Sequence, residues 1–163
     1  MRARTALLDR HRLDEVLPGW DYADSFEVSA GFDRPASARQ AAAAIFRLSP
    51  AGRSLMRMRD TLVAPAGLRS SSTADTGVLP VVRTTRDACV LGLDDRHLDF
   101  RVLVELAGEK VRCTTVVHRH NLGGRLYFAV VRPFHRLAVP SLLARTAERG
   151  WPTTLEEKEQ DRE

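Results

Sequence analysis

Between Leu98 and His120 the chain spells out one antiparallel hairpin, and no other segment limits the fold as much. Leu98, Phe100, Val102, Val104 and Leu106 alternate with His97, Asp99, Arg101, Leu103 and Glu105. Such alternation marks a half-buried strand, because successive side chains point to opposite faces of a sheet. Ala107-Gly108-Glu109 is a tight connection. Val111 to His120 is the partner strand, with Val111, Cys113, Thr115 and Val117 on its core face. Phe100, Val102, Val104, Cys113, Thr115 and Val117 are therefore expected to be buried, and Asp99, Glu105 and Arg112 more exposed. A slip of one residue would exchange the two sets.

A shorter alternation lies upstream. Tyr22, Asp24, Phe26 and Val28 share one strand face, while Ala23, Ser25 and Glu27 share the other. Asp24 is thus a carboxylate on an inward face. Ser37 is a good N-cap for the alanine-rich helix that follows. Ser49-Pro50 ends that helix and opens a second one reaching Ala64, with Leu55, Met58 and Leu62 on one face. Residues 69–77 are a polar Ser/Thr loop. Strands at Pro80–Thr85 and Ala88–Leu93 lead into the hairpin. Beyond it, Asn121-Leu122-Gly123-Gly124 turns the chain into a long helix from Arg125 to about Arg149, which Pro133 and Pro140 should kink.

This order predicts an α+β domain: a helix-grip-like curved antiparallel sheet with two short helices and a long C-terminal helix. The long helix can lie across the concave face and leave a pocket beneath it. Residues 1–16 read as a lead-in, 17–149 as the domain and 150–163 as a polar tail.

Composition narrows the partners. The 163 residues suit a single domain. The isoelectric point is about 9.7, yet the excess is almost all arginine, with lysines only at Lys110 and Lys158. The arginines are dispersed, without basic runs or interleaved aromatics, so nucleic acid is not an expected partner. No apolar leader and no membrane-length apolar run is visible, which predicts a cytoplasmic protein with no membrane contact. A homodimer stays open. Cys89 and Cys113 have no metal-type spacing, and they can bridge only if their strands are neighbours.

Several segments resemble a bacterial family of unknown function, DUF2867. They are Asp21–Phe26 (DYADSF), Leu55–Val63 (LMRMRDTLV), Leu91–Val102 (LGLDDRHLDFRV) and Thr114–Leu137 (TTVVHRHNLGGRLYFAVVRPFHRL). The resemblance spans about residues 17–149. The element order is also similar to the START / Bet v 1-like superfamily, which includes polyketide cyclases. That resemblance implies an apolar cavity for small molecules, sometimes with catalysis. Members of the closer family also occur fused to an NAD-binding domain. This chain has no GxGxxG of its own, so no cofactor is expected.

Four of the five histidines lie in the second half of the domain: His97, His118, His120 and His135. His118, His120 and His135 are metal-ligand types, but without a clear fourth ligand no metal is expected. Asp99 can join only if the strands align suitably. His97 and Asp99 share a strand face, either as an acid/base pair or as part of a polar outer surface. Asp24 with Tyr22 is the better pocket candidate, since an inward carboxylate must be paired or have a raised pKa. Arg59, Arg101, Arg125 and His135 are its candidate partners. Tyr127 and His135 sit on the closing helix, facing either a cavity or the packed sheet.

The expectation is therefore a domain that binds an apolar or aromatic small molecule between sheet and helix. Catalysis, if it occurs, would be cofactor-independent proton transfer giving cyclisation, dehydration or isomerisation. Asp24, His97 and His135 are its acid/base candidates, and Tyr22, Arg59, Phe100, Arg125 and Tyr127 its ligand contacts. The alternative is a non-catalytic ligand sensor or a docking partner of an oxidoreductase.

Overall fold

In the computed structural model, residues 2–31, 34–47 and 79–152 are described. The expected helix up to Ala64, the loop at 69–77, Arg59 and the tail beyond Pro152 lie outside them.

The hairpin falls where the alternation puts it. Strand β5 (Leu98–Ala107) and strand β6 (Lys110–Arg119) are joined at Gly108, whose φ of +62° is the left-handed conformation that favours glycine. The turn sets the register, pairing Ala107 with Lys110, Val102 with Thr115 and Asp99 with His118. Two edges then grow outward. Strand β4 (Ala88–Asp94) pairs with β5, and strand β3 (Val81–Thr84) with β4. On the other side, β6 pairs with β2 (Tyr22–Ser29), and β2 with the two-residue β1 (Arg4–Thr5). The result is one curved antiparallel sheet in the order β1-β2-β6-β5-β4-β3.

Helix α2 (Ala38–Phe46) begins at Ser37, whose side chain accepts from the Gln40 N–H. Its alanines let it approach the sheet closely, and Ala38, Ala41, Ala42 and Ile45 are all buried. The C-terminal helix α3 (Leu122–Arg149) packs on the same face through Val139, Leu143 and Ala147. Together they cover Phe26, Val28, Leu91, Val102, Val104, Val111 and Cys113. Of the expected inward set only Phe100 is half-buried, and Asp99, Glu105 and Arg112 are all more exposed than that core.

Helix α3 starts three residues before the expected Arg125. Asn121 is its N-cap, accepting from the Gly124 N–H at 3.0 Å, so the glycines form the first turn rather than a loop. Gly124 is needed there: a Cβ would lie 2.0 Å from the His97 carbonyl oxygen. Pro133 and Pro140 lie inside the continuous helix, where each withholds one backbone donor from the preceding turn.

The lead-in carries structure of its own. Helix α1 (Arg10–Val16) is capped by Asp9 and packs on the opposite face of the sheet. Leu13, Val16 and Leu17 cover Val90, Leu103 and Val116 there. This explains the apolar Leu103 on an otherwise polar strand face. At the other end, Trp151 is buried and donates to the Ala30 carbonyl at 3.0 Å, which ties the end of α3 to β2.

Cys89 and Cys113 are free and buried. Both pair with Val104, one from each side, so β5 separates them. Two strand spacings are about 10 Å, beyond the reach of a disulfide.

Candidate functional site

The inner face carries one polar cluster in an apolar setting. Asp24 points inward from β2, as the alternation predicts. Its Oδ2 accepts from the Tyr22 hydroxyl at 2.7 Å, and its Oδ1 meets His135 Nε2 at 3.2 Å. Sequence left four candidate partners for Asp24, and among the three that fall in the described residues the fold selects His135. Arg101 is on the opposite face, bound to Asp94 at 2.6 Å.

The cluster sits beneath the middle of α3, where the helix is least buried. Gly124 and Phe128 are buried at one end, and Val139 and Leu143 at the other. Between Phe128 and Val139 no side chain of α3 is buried; Val131 and His135 are half-buried. Those ten positions, 129–138, are about 15 Å of helix. Below them Thr115 is paired across the strands with Asp24, so both point inward. The Thr115 hydroxyl oxygen is buried, and among the described residues it has no hydrogen-bond partner. A buried hydroxyl left unpaired costs about 1–3 kcal/mol, so this atom calls for a partner from outside the described chain.

The walls fix the geometry. The Tyr22 ring meets Phe128 edge-on at 4.7 Å between centroids. Arg119 lies over the other ring partner, its guanidinium 5.6 Å from the Phe128 centroid, and is itself held by Asp21 at 2.9 Å. Phe100 and Tyr127 are half-buried against the Leu98, Val117 and Phe128 cluster. Burial raises the Tyr22 pKa well above the ordinary phenol range, and the bond to Asp24 and its charge add to the effect. Arg136 and Arg132 pull it the other way, which places two guanidinium groups within electrostatic reach of the phenol. Tyr22 thus stays protonated and acts as a donor. Burial and then the Asp24 charge push the Cys113 thiol up to about 12, which rules it out as a nucleophile at neutral pH.

The remaining candidates separate. His97 lies at the end of the sheet, where Nδ1 meets the Asn121 side-chain oxygen at 3.1 Å. It supports the cap of α3 and does not join the Asp24 cluster. Of the two alternatives for His97 and Asp99, the acid/base pair does not form, because Asp99 binds His120 at 3.0 Å. Arg125 is exposed on the first turns of α3. The trio His118, His120 and His135 does not assemble, since His118 and His135 lie on opposite faces of the sheet. Asp99 instead joins His118 and His120 on the outer face. Sequence marked Thr115 only as a core-face residue and did not single out Arg132 or Arg136. Helical spacing from His135 points to Arg132, and strand pairing with Asp24 points to Thr115.

One open groove of about 590 Å³ lies elsewhere, at the Lys110 end of the sheet, lined by Arg34, Pro35, Arg86 and Asp87 among others. Its lining is polar, unlike the expected cavity.

Residues 16–142 match the family model described as "Protein of unknown function (DUF2867)", and the chain belongs to that family. No curated protein and no solved structure matches it. Among the described residues no helix is long and apolar enough to cross a membrane.

Proposed function

We propose that the domain binds an apolar or aromatic small molecule, bearing an anionic group, in the gap between α3 and the inner sheet face. The observation that carries this is the unburied stretch of α3 over the Tyr22–Asp24–His135 cluster, with the unpaired Thr115 hydroxyl in its floor. Phe100, Tyr127 and Phe128 supply apolar and aromatic wall. Arg132 and Arg136 supply a cationic rim for a carboxylate or enolate. The element order is similar to that of the START / Bet v 1-like cavity proteins, and that likeness supports the reading.

The cluster is suited to proton transfer. With the Asp24 carboxylate accepting from Nε2–H, the His135 lone pair is on Nδ1, which has no partner among the described residues. Nδ1 takes a proton from a carbon acid of the ligand, and Asp24 stabilises the imidazolium that forms. Return of that proton to a different ligand atom is an isomerisation, and its delivery to a departing hydroxyl is a dehydration. No step needs a cofactor. The working place is cytoplasmic in this reading.

The alternative is a non-catalytic sensor or docking partner of an oxidoreductase. It is favoured by the exposed apolar ridge of α3, formed by Leu122, Leu126, Val130, Phe134 and Leu137. One experiment separates the readings. Aromatic carboxylates and β-diketones are titrated against the protein while its melting temperature is followed. A ligand of the folded state raises it saturably, and Asp24→Asn and His135→Ala abolish any turnover. If ligand binds and turnover persists in both variants, the acid/base assignment fails. If no ligand in the set binds, the docking reading takes its place.

A further inference from the structure

A second constellation lies on the outer face, separated from Asp24 and His135 by the sheet itself. Asp99 of β5 is directly opposite His118 of β6, and His120 follows two residues on. One ligand atom from each of Asp99, His118 and His120 can be chosen so that all lie within 4.8 Å of one another. His120 Nε2 is already 3.0 Å from Asp99 Oδ2. The two imidazoles are tilted by 51° with centroids 4.9 Å apart, so they converge without stacking. We propose that these three side chains bind a borderline divalent first-row cation, with Zn²⁺ the representative.

The chemistry supports this over a plain surface ion pair. Two imidazoles and one carboxylate are the donor set that Zn²⁺ and Fe²⁺ favour, with remaining positions open. Zn–N and Zn–O bonds of about 2.0–2.2 Å put tetrahedral ligand atoms about 3.3–3.5 Å apart. The His120–Asp99 separation of 3.0 Å is a few tenths of an ångström shorter than that, and a modest rotation of the exposed His120 ring opens it and brings the set together. The cation then takes the place of the proton shared by His120 and Asp99.

The surroundings hold two of the three donors in place. Asp99 Oδ1 accepts from the Asp95 N–H at 3.1 Å, which fixes the carboxylate plane and leaves Oδ2 for the cation. The Gly19 turn lies against the His118 ring, 3.5 Å from where a Cβ would be. The His120 backbone N–H donates to the His97 carbonyl at 3.0 Å, continuing the ladder past the end of β6. The hairpin register alone generates the site: with Ala107 opposite Lys110, Asp99 must face His118. The solvent side is open, so water or a small anion completes the coordination.

Calorimetric titration of the untagged chain with Zn²⁺ tests the proposal. The expected result is saturable binding of one equivalent, weakened about 10–100-fold in His118→Ala and in Asp99→Asn. His11→Ala is the control, because His11 faces Glu15 on α1 at 3.4 Å without a third ligand, and it should leave binding unchanged. Mg²⁺ should give no saturable heat, since it avoids imidazole. Co²⁺ in the unmutated protein gives a reading independent of any variant. It should develop the visible absorption of a nitrogen-containing, less than six-coordinate site. Absence of saturable Zn²⁺ binding, or binding unchanged by His118→Ala, overturns the assignment.

Discussion

An aspartate meets a histidine on each face of the sheet, and the two pairs share little but their chemistry. Asp24 and His135 are 111 residues apart in sequence and meet only because α3 folds back over β2. Their side chains are 11% and 20% exposed. Asp99 and His120 belong to one hairpin and are 20% and 34% exposed. The inner pair is bounded by Phe128, Thr115 and the half-buried Tyr22 phenol, so its partners are fixed and water is largely kept away. The outer pair has a second histidine beside it and solvent in front. In the proposed reading the same two residue types move a proton on one face and hold a cation on the other.

The comparison can be broken most sharply through packing. Phe128 packs beside the inner cluster and carries the edge contact to Tyr22. Phe128→Ala should cost about 3–5 kcal/mol in urea unfolding, whereas His120→Ala should fall within about 0.5 kcal/mol. Equal effects would mean that the inner cluster is as loosely held as the outer one.

Removing the two carboxylates sharpens the contrast at an intermediate scale. Asp24→Ala leaves the Tyr22 hydroxyl and His135 Nε2 without their acceptor, and about 1–3 kcal/mol should be lost. Asp99→Asn breaks an exposed pair and should change stability by no more than about 1 kcal/mol. The same melts measure both. Thr115→Val should be neutral or slightly stabilising in the ligand-free protein, since it removes an unpaired buried hydroxyl at nearly constant shape. A clear destabilisation would show that the hydroxyl already has a structural partner.

The smallest effect concerns the outer face at the Lys110 end. The Lys110 ammonium hydrogen-bonds Glu27, Arg112 adds a second contact at 3.1 Å, and together they hold the Glu27 carboxyl below its usual range. Its folded pKa is therefore below the unfolded value of about 4.3. The stabilisation is complete above that value and is lost as pH falls through the folded one. Glu27→Gln should flatten the acid limb of the stability curve slightly, with no change near neutrality.

Local alternation made much of this fold legible. The strands at Tyr22, Ala88, Leu98 and Lys110 were written in period two, and Ser37 announced α2. Other parts depend on contacts that a single chain does not display. Asn121-Leu122-Gly123-Gly124 reads as a turn because of its glycines, yet Gly124 is demanded by the His97 carbonyl that the helix must pass. The first 16 residues look featureless because α1 has too few apolar positions to show a period, although Leu13 and Val16 are buried. Asp24 was visible as an inward carboxylate, but its partner was one of several until α3 was placed. The outer trio was decodable from the tight hairpin, since the turn fixes which residue faces Asp99.

The central claim is that His135, held by Asp24, faces a ligand in the gap beneath α3. Nitrogen NMR of the ¹⁵N-histidine-labelled protein tests it most directly, before and during titration with an aromatic carboxylate such as naphthoate. The account predicts that His135 is protonated at Nε2 in its neutral form and that its ring nitrogens shift saturably with ligand. His97, His118 and His120 should stay in place. A His135 protonated at Nδ1, or a saturable response confined to the other histidines, would contradict it.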